Sequence, residues 1–193
     1  MLPDDDPFLS VNSIAYADLV TDAAVQLIGE RGLRALSQRA IAHWIDVTPQ
    51  AVAAQYGSRA RLLEVVLGTF AGRWVTWNRQ APWMTHLPVV RLPETPHEVR
   101  GCRVWFSLVE FAAGSARAGD DAPSGIIEWA VAEEREHVRR SLRERIPREP
   151  DDDDLDVVMA LGQGLRMGLL APVPTLDLER AKGLLGRHGI LDR

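Results

Sequence analysis

The sequence predicts an all-α fold, with an N-terminal three-helix head that contains a helix-turn-helix and a larger helical body behind it. Three observations carry that prediction. Apolar residues recur at three- and four-residue steps along most of the chain. The long alternating runs between hairpin turns that mark sheets are missing. Capping residues and prolines fall where the apolar rows begin and end.

The first helix is expected from residue 13 or 17 to residue 30, with Leu19, Val20, Ala23, Ala24, Leu27 and Ile28 along one face. Gly32 stops it, because glycine tolerates the left-handed turn that ends a helix. Leu33 and Leu36 anchor the connection, and Ser37 caps a short helix through Trp44 whose inward residues are Ala40, Ile41 and Trp44. A break follows at Ile45-Asp46-Val47. Thr48 caps the next helix, and Pro49 takes the one helical position where a missing N–H costs nothing. This third helix carries Ala51, Val52 and Gln55 and ends near Tyr56, with Gly57 as terminator. Ser58 caps a fourth, whose Leu62, Leu63, Val66, Leu67 and Phe70 form an inward row.

Pro82, Pro88, Pro93 and Pro96 make the stretch 80–97 a loop or a broken helix, the joint between early helices and body. A helix at 98–115 is apolar on nearly all sides, from Val99 and Cys102 through Val104, Trp105, Phe106, Leu108, Val109, Phe111 and Ala112, and so belongs at the centre. A loop at 119–125 leads to a helix at 126–146 with Ile127, Val131, Val138, Leu142 and Ile146 inward and Trp129 and Ala132 pointing away, stopped by Pro147. The four acids Asp151 to Asp154 lack the alternation of a chelating loop and fit as favourable charges opening a helix at 154–170. Its apolar side is Leu155, Val158, Met159, Leu161, Gly162, Leu165 and Leu169, and Pro172 and Pro174 end it. A last helix at 177–187 turns Leu178, Ala181, Leu184 and Leu185 inward. Head and body divide as residues 13–62 and 63–193.

The chain has 193 residues, 46% of them hydrophobic and 25% charged, with a net charge of -5, so no bulk positive field marks a nucleic-acid partner. The field is local: Arg31, Arg34, Arg39, Arg59 and Arg61 stand against the single acid Asp46, a net +4 over thirty-one residues. Cys102 alone excludes a disulfide scaffold and a cysteine metal cluster within one chain. The amino end, MLPDDDPFLSVN, is acidic where a secretory signal is basic, and no apolar run reaches the roughly 18 residues of a membrane span. A cytoplasmic protein with no membrane partner is the expectation. No catalytic residue, cofactor or metal ligand set is expected either. There is no HxxxH or HExxH pair on any helix, and Gly162-Gln163-Gly164 falls inside a helical pattern with no preceding strand.

The run Asp22-Ala23-Ala24, then Ile28-Gly29-Glu30-Arg31-Gly32-Leu33-Arg34-Ala35-Leu36-Ser37, Arg39-Ala40-Ile41-Ala42, Val47-Thr48-Pro49-Gln50-Ala51-Val52 and Tyr56-Gly57-Ser58-Arg59-Ala60-Arg61-Leu62-Leu63 resembles the TetR family of bacterial regulators over residues 17 to 70. The resemblance implies a homodimeric repressor with each head in a major groove of a palindromic double-stranded DNA operator, and a body that holds a small-molecule effector. It implies that Ser37 and Arg39 approach the DNA backbone, that Thr48 caps the reading helix and touches phosphate, and that Gln50 and Ala51 face bases. Tyr56 stands at the aromatic position that ends the reading helix, and Arg59 where a basic residue reaches phosphate. Gln55 is a further candidate base contact, since glutamine can pair with adenine if it points into the groove.

This chain departs from the family pattern at Asp46, where glycine is usual, at Ala53 and Ala54, where a tyrosine and a basic or polar residue are usual, and at Gly57, where proline is usual. These departures weaken the expected grip on DNA. They keep open an alternative, a helical dimer that retains the fold and acts through protein partners.

For the effector, Trp74, Trp77, Trp105, Phe106 and Trp129 offer the broad apolar surface that lines cavities, as well as ordinary core filling. Glu110, Glu134 and His137 are polar groups set among apolar neighbours, and either contact a ligand or pair internally. A small apolar or amphipathic effector is the expectation. Dimerisation is expected through the helices at 126–146 and 154–170, closing into a two-fold four-helix arrangement.

Overall fold

A computed structural model describes residues 16–80, 91–171 and 176–187. Those residues form α1 (Tyr16–Arg31), a 3-10 turn (Leu33–Ala35), α2 (Gln38–Trp44), α3 (Pro49–Tyr56), α4 (Arg59–Arg79), α5 (Pro96–Arg117), α6 (Ala122–Arg143), α7 (Asp152–Leu170) and α8 (Leu178–Arg187). The all-α fold is therefore observed, with a helix-turn-helix at its amino end. Pro82, Trp83, Met84, His86, Pro88, Pro172, Pro174 and His188, the side chain of Leu185 and the first residues of the earliest expected helix start lie outside the described residues.

The helix boundaries follow from local chemistry. The side-chain oxygens of Ser37, Thr48 and Ser58 accept hydrogen bonds from the amides of Ala40, Ala51 and Arg61 at 3.1, 3.2 and 3.1 Å, satisfying donors that each helix start leaves free. Left-handed turns separate the short helices, with φ of 56° at Asp46 and 66° at Gly57. Thr95 and Glu98 close a reciprocal capping box on α5, and Asp151 and Asp154 close another on α7. The acid run is thus a helix start, as its lack of alternation suggested.

α6 departs from expectation at both ends. It begins at Ala122, four residues early, because Pro123 sits in its first turn and Asp120 Oδ1 accepts the Ala122 amide. It ends at Arg143 and not at 146, since the residue before Pro147 is pushed out of helical backbone. Its inward row is Pro123, Ala130, Glu134, Val138, Ser141 and Leu142, while Val131, expected inside, is 39% exposed. Trp44, also expected inward, is 37% exposed at the end of α2.

One apolar core runs from α1 (Val20, Ala23, Ala24, Ile28) through Leu36, Ile41, Val52 and Tyr56 to α4 and α5, where it closes on Phe70, Trp74, Trp77, Cys102, Trp105 and Leu108. The division between residues 62 and 63 falls within the first turn of α4, and this core is continuous across it. Polar and close contacts tie α1 to the body helices. Arg73 of α4 holds Asp22, 1% exposed, at 2.5 Å and Asp18 at 2.9 Å. A Cβ added at Gly29 would lie 2.2 Å from Arg100 Cγ, so glycine permits α1 and α5 to touch. Farther out, Val138 and Leu142 pack on Leu155 and Val158, and Leu165 and Leu92 pack on Ala181 of α8. No helix among the described residues is long and apolar enough to cross a membrane.

Candidate nucleic-acid interface and the buried polar cluster of the body

The head presents α3 outward. Pro49, Gln50, Ala51, Ala54 and Gln55 are exposed, and Val52 and Tyr56 hold the helix to the core. Arg39 and Thr48 are exposed and Ser37 is half-buried. The hydroxyls of Ser37 and Thr48 serve the helix starts as acceptors, so their protons stay available to donate towards a phosphate. Arg31, Arg34 and Arg61 are exposed on the same head, Arg61 beside Glu64 at 2.6 Å.

Two of the candidate DNA contacts make bonds or ring contacts within the head. The Tyr56 ring is buried and stacks on Tyr16 with centroids 6.2 Å apart and planes 13° from parallel. Burial, and then the neighbouring Tyr16, raise its hydroxyl above the ordinary phenol value. The Arg59 guanidinium turns back onto the head, donating from Nε to the Leu36 carbonyl at 2.9 Å and from Nη2 to the Leu33 carbonyl at 2.8 Å. Gln38, not singled out by sequence, donates from Nε2 to the Gly57 carbonyl at 3.1 Å.

In the body, Trp74, Trp77 and Trp105 meet. Trp74 and Trp105 stack with centroids 4.8 Å apart and planes 7° from parallel, and Trp77 lies 5.2 Å from Trp74. Arg166, fully buried, comes down from α7 with its guanidinium carbon 5.0 Å from the Trp74 ring and 5.7 Å from the Trp77 ring. Its Nη1 donates to Glu134 Oε1 at 2.8 Å, its Nη2 to Asn78 Oδ1 at 2.5 Å and its Nε to the Arg91 carbonyl at 3.0 Å. One guanidinium thus joins α4, α6, α7 and the strand of chain that leads into α5. A second pair borders it, Arg91 with Glu98 at 2.6 Å, where the Trp77 indole N–H also donates at 3.0 Å. Burial pushes the Glu98 carboxyl up, but the hydrogen bonds from Trp77, the Glu94 amide and Arg91 outweigh it and hold the group below its ordinary value.

Not every candidate joins this cluster. Glu110 is exposed on α5, because the apolar sequence around it leaves one side of the helix to solvent. Trp129 is 46% exposed on the outer side of α6, and Phe106 is half-buried at the margin of the main core. His137 lines an open cleft of 390 Å³ with Arg79, Arg140, Ser141 and Glu144. Desolvation, then the charges of Arg140 and Arg79, lower its pKa below the ordinary imidazole value. Arg166, Asn78, Arg91 and Glu98 were missed by sequence reasoning. The available signal was Arg166 itself, which stands four residues after Gly162 and three before Leu169, within the inward row of its helix.

Two side-chain acceptors of the body are buried without a hydrogen-bond partner among the described residues: Glu134 Oε2 in this cluster and, on α7 one turn before Arg166, Gln163 Oε1. The Cys102 thiol nearby is buried, and burial pushes its pKa up to about 12, so it is not a nucleophile at neutral pH. Among the described residues no group of three His, Cys, Asp or Glu is placed to hold a metal ion.

Comparison with known proteins places this architecture. Residues 20–66 match the family model for bacterial regulatory proteins, tetR family. A solved structure described as a TetR-family transcriptional regulator from Rhodococcus sp. is 19% identical, covers 91% of this chain and 96% of its own, and superposes with a TM-score of 0.67. A transcriptional regulator from Rhodococcus sp. Rha1 is 15% identical, with 89% and 92% covered and a TM-score of 0.73. The multidrug binding protein EbrR, solved with imidazole, is 20% identical, with 94% and 97% covered and a TM-score of 0.51. No curated protein matches the chain. The head, residues 20–66, is thus similar to the tetR family of bacterial regulatory proteins, and the helical body shares the fold of these structures along nearly their whole length.

Proposed function

We propose that the protein is a homodimeric, effector-responsive transcriptional repressor that reads DNA with α3. The observation that carries this reading is the exposed edge of α3, Gln50, Ala51 and Gln55, within a stretch, residues 31–61, that has five exposed arginines against the one exposed acid Asp46. Phosphate attraction and base-edge access thus coincide on one side of an otherwise acidic chain. Each head occupies one major groove, and the spacing of two heads sets the spacing of the operator half-sites.

The body supplies the second half of the proposal. Glu134 Oε2 and Gln163 Oε1 are buried acceptors that lack hydrogen-bond donors among the described residues. A small amphipathic molecule with N–H or O–H groups supplies them while its apolar part lies against the tryptophans, and its differential affinity shifts the population away from the DNA-competent spacing. EbrR is described as a multidrug binding protein and was solved with imidazole, a small N–H donor; for the present chain the effector class rests on the two acceptors.

Selection of genomic fragments by the purified protein at physiological salt tests the reading. A recovered palindrome is the expected result. Fragments no more enriched than background, with attraction only at low salt, overturn it in favour of a helical dimer acting through protein partners.

A further inference from the structure

The reading helix is short and rests mainly on α2. α3 has eight residues, and only Val52 and Tyr56 are buried. It hangs between two left-handed turns, Asp46 at φ 56° and Gly57 at φ 66°. A Cβ at Gly57 would meet nothing within 4 Å, so glycine is needed there for its backbone conformation and not for room. A short helix with two buried side chains, packed on α2 and followed by a glycine joint, has few contacts to fix its angle against α1 and α4.

Two side chains cross this joint in opposite directions. Gln38, the first residue of α2, reaches the Gly57 carbonyl at 3.1 Å. Arg59, the first residue of α4, reaches back to Leu36 and Leu33 at 2.9 and 2.8 Å, on carbonyls at either end of the 3-10 turn between α1 and α2. The arginine bonds are charge-assisted and come from a planar fork that a lysine cannot reproduce.

We infer that Gln38 and Arg59 are positioning residues for DNA reading, a two-way clasp that fixes the angle of α3 against α1 and α2, with Arg59 acting through that angle and not as a phosphate ligand. This rests on the DNA-reading function proposed above. Removing either arm leaves the head folded around its apolar core and lets α3 sample orientations that fit the groove poorly. Attraction to phosphate, which depends on charge and not on angle, is retained.

The test compares wild type, Arg59→Lys, Arg59→Met and Gln38→Met in the full-length chain. The probes are the duplex that wild type enriches from a random pool and a scrambled duplex of the same length, across a salt series, with melting curves for each variant. Arg59→Lys and Gln38→Met are each expected to lower the preference for the enriched duplex by about tenfold. The salt slope of both stays at the wild-type value. If Arg59→Lys binds like wild type while Arg59→Met reduces the salt slope by about one, Arg59 is a phosphate ligand and the inference is overturned. If the variants melt lower but keep the wild-type preference well below melting, the clasp is only structural and the inference also falls. If Arg59 variants do not fold, Gln38→Met, which removes one neutral bond, decides by the same ratio. A pool from which wild type enriches nothing overturns the DNA-reading function itself, and the clasp with it.

Discussion

Single side chains decide most in the buried cluster of the body. Glu134 and Arg166 are 4% and 0% exposed, so neither charge has water to fall back on. Glu134→Ala leaves a buried guanidinium with only neutral acceptors and is expected to cost about 3–5 kcal/mol, read as a fall in the urea midpoint. Replacing both, Glu134→Leu with Arg166→Met, is expected to cost less than that single change because no unpaired charge remains. It still costs about 1–3 kcal/mol, since Asn78 Oδ1 and the Arg91 carbonyl lose their donor. A double variant worse than Glu134→Ala would show that the cation over Trp74 and Trp77 matters more than its ion pair. His137 gives a pH signature of opposite chemistry. Its pKa is lowered in the fold from 6.5 by desolvation and by Arg140 and Arg79, with Glu134 opposing weakly, so the folded state prefers the neutral ring. Its contribution is intact above 6.5 and is lost as pH falls from there towards the lowered value. Urea midpoints measured from pH 8 to pH 5 are expected to fall less for His137→Asn than for wild type, and parallel curves would dismiss the effect. Sequence alone singled out Glu134 and His137 but not their surroundings. Glu110 was misjudged for a related reason: a helix rich in apolar residues hides the one position that its neighbours leave in water.

At the level of elements, caps and stops were the most legible feature. Ser37, Thr48 and Ser58 each cap the helix expected of them, because capping is a local bond between a side chain and an amide three residues on. The start of α6 was not legible, since Asp-Ala-Pro-Ser-Gly reads equally as a loop and as the first turn of a helix opened by proline. The clasp of Gln38 and Arg59 was not legible either. Its partners lie 19 to 26 residues away and are backbone carbonyls, which carry no sequence signature. The helix-turn-helix itself offers a prediction at Asp46, which holds φ 56° and is exposed. Glycine adopts that backbone without the Cβ clash, so Asp46→Gly is expected to raise stability by up to about 1 kcal/mol, or roughly 2–4 °C in Tm. It also removes the one acid of the basic stretch 31–61. Affinity for DNA should therefore rise severalfold at low salt, with the gain shrinking as salt screens it. Anisotropy titrations at two salt concentrations check this; an unchanged low-salt affinity would put the turn beyond reach of the phosphates.

Across the whole molecule, the apolar core and the Arg73 and Gly29 contacts make head and body one packed unit, so a change in the body can reach α1 without a flexible linker. What the monomer leaves uncovered then bears on assembly. On α7, Val157 and Met167 are 51% and 52% exposed, with Ala160 and Gly164 exposed between them, a row at helical spacing whose small centre permits close approach of another helix. α6 gives its inner side to α4, α5 and α7, but keeps Gly125, Trp129 and Ala132 exposed on the other. A two-fold pairing of these faces buries apolar surface that is otherwise costly to leave in water. Met167→Glu places a charge in the middle of such a pairing and is expected to shift the mass by light scattering from twice 21.4 kDa to 21.4 kDa. DNA affinity should fall with it, because a monomer engages one half-site and loses the effective concentration of the second head. Trp129→Ser is expected to weaken the dimer less, since it trims one ring at the edge without adding a charge. A dimer indifferent to Trp129→Ser but broken by Met167→Glu would take α6 out of the interface and pass its share to α8, which lies against the other side of α7 through Leu165 and Ala181. A dimer that survives both changes would place the two-fold contact away from α6 and α7 altogether, and the separation of the heads would then have to be rederived from whichever surface replaces them.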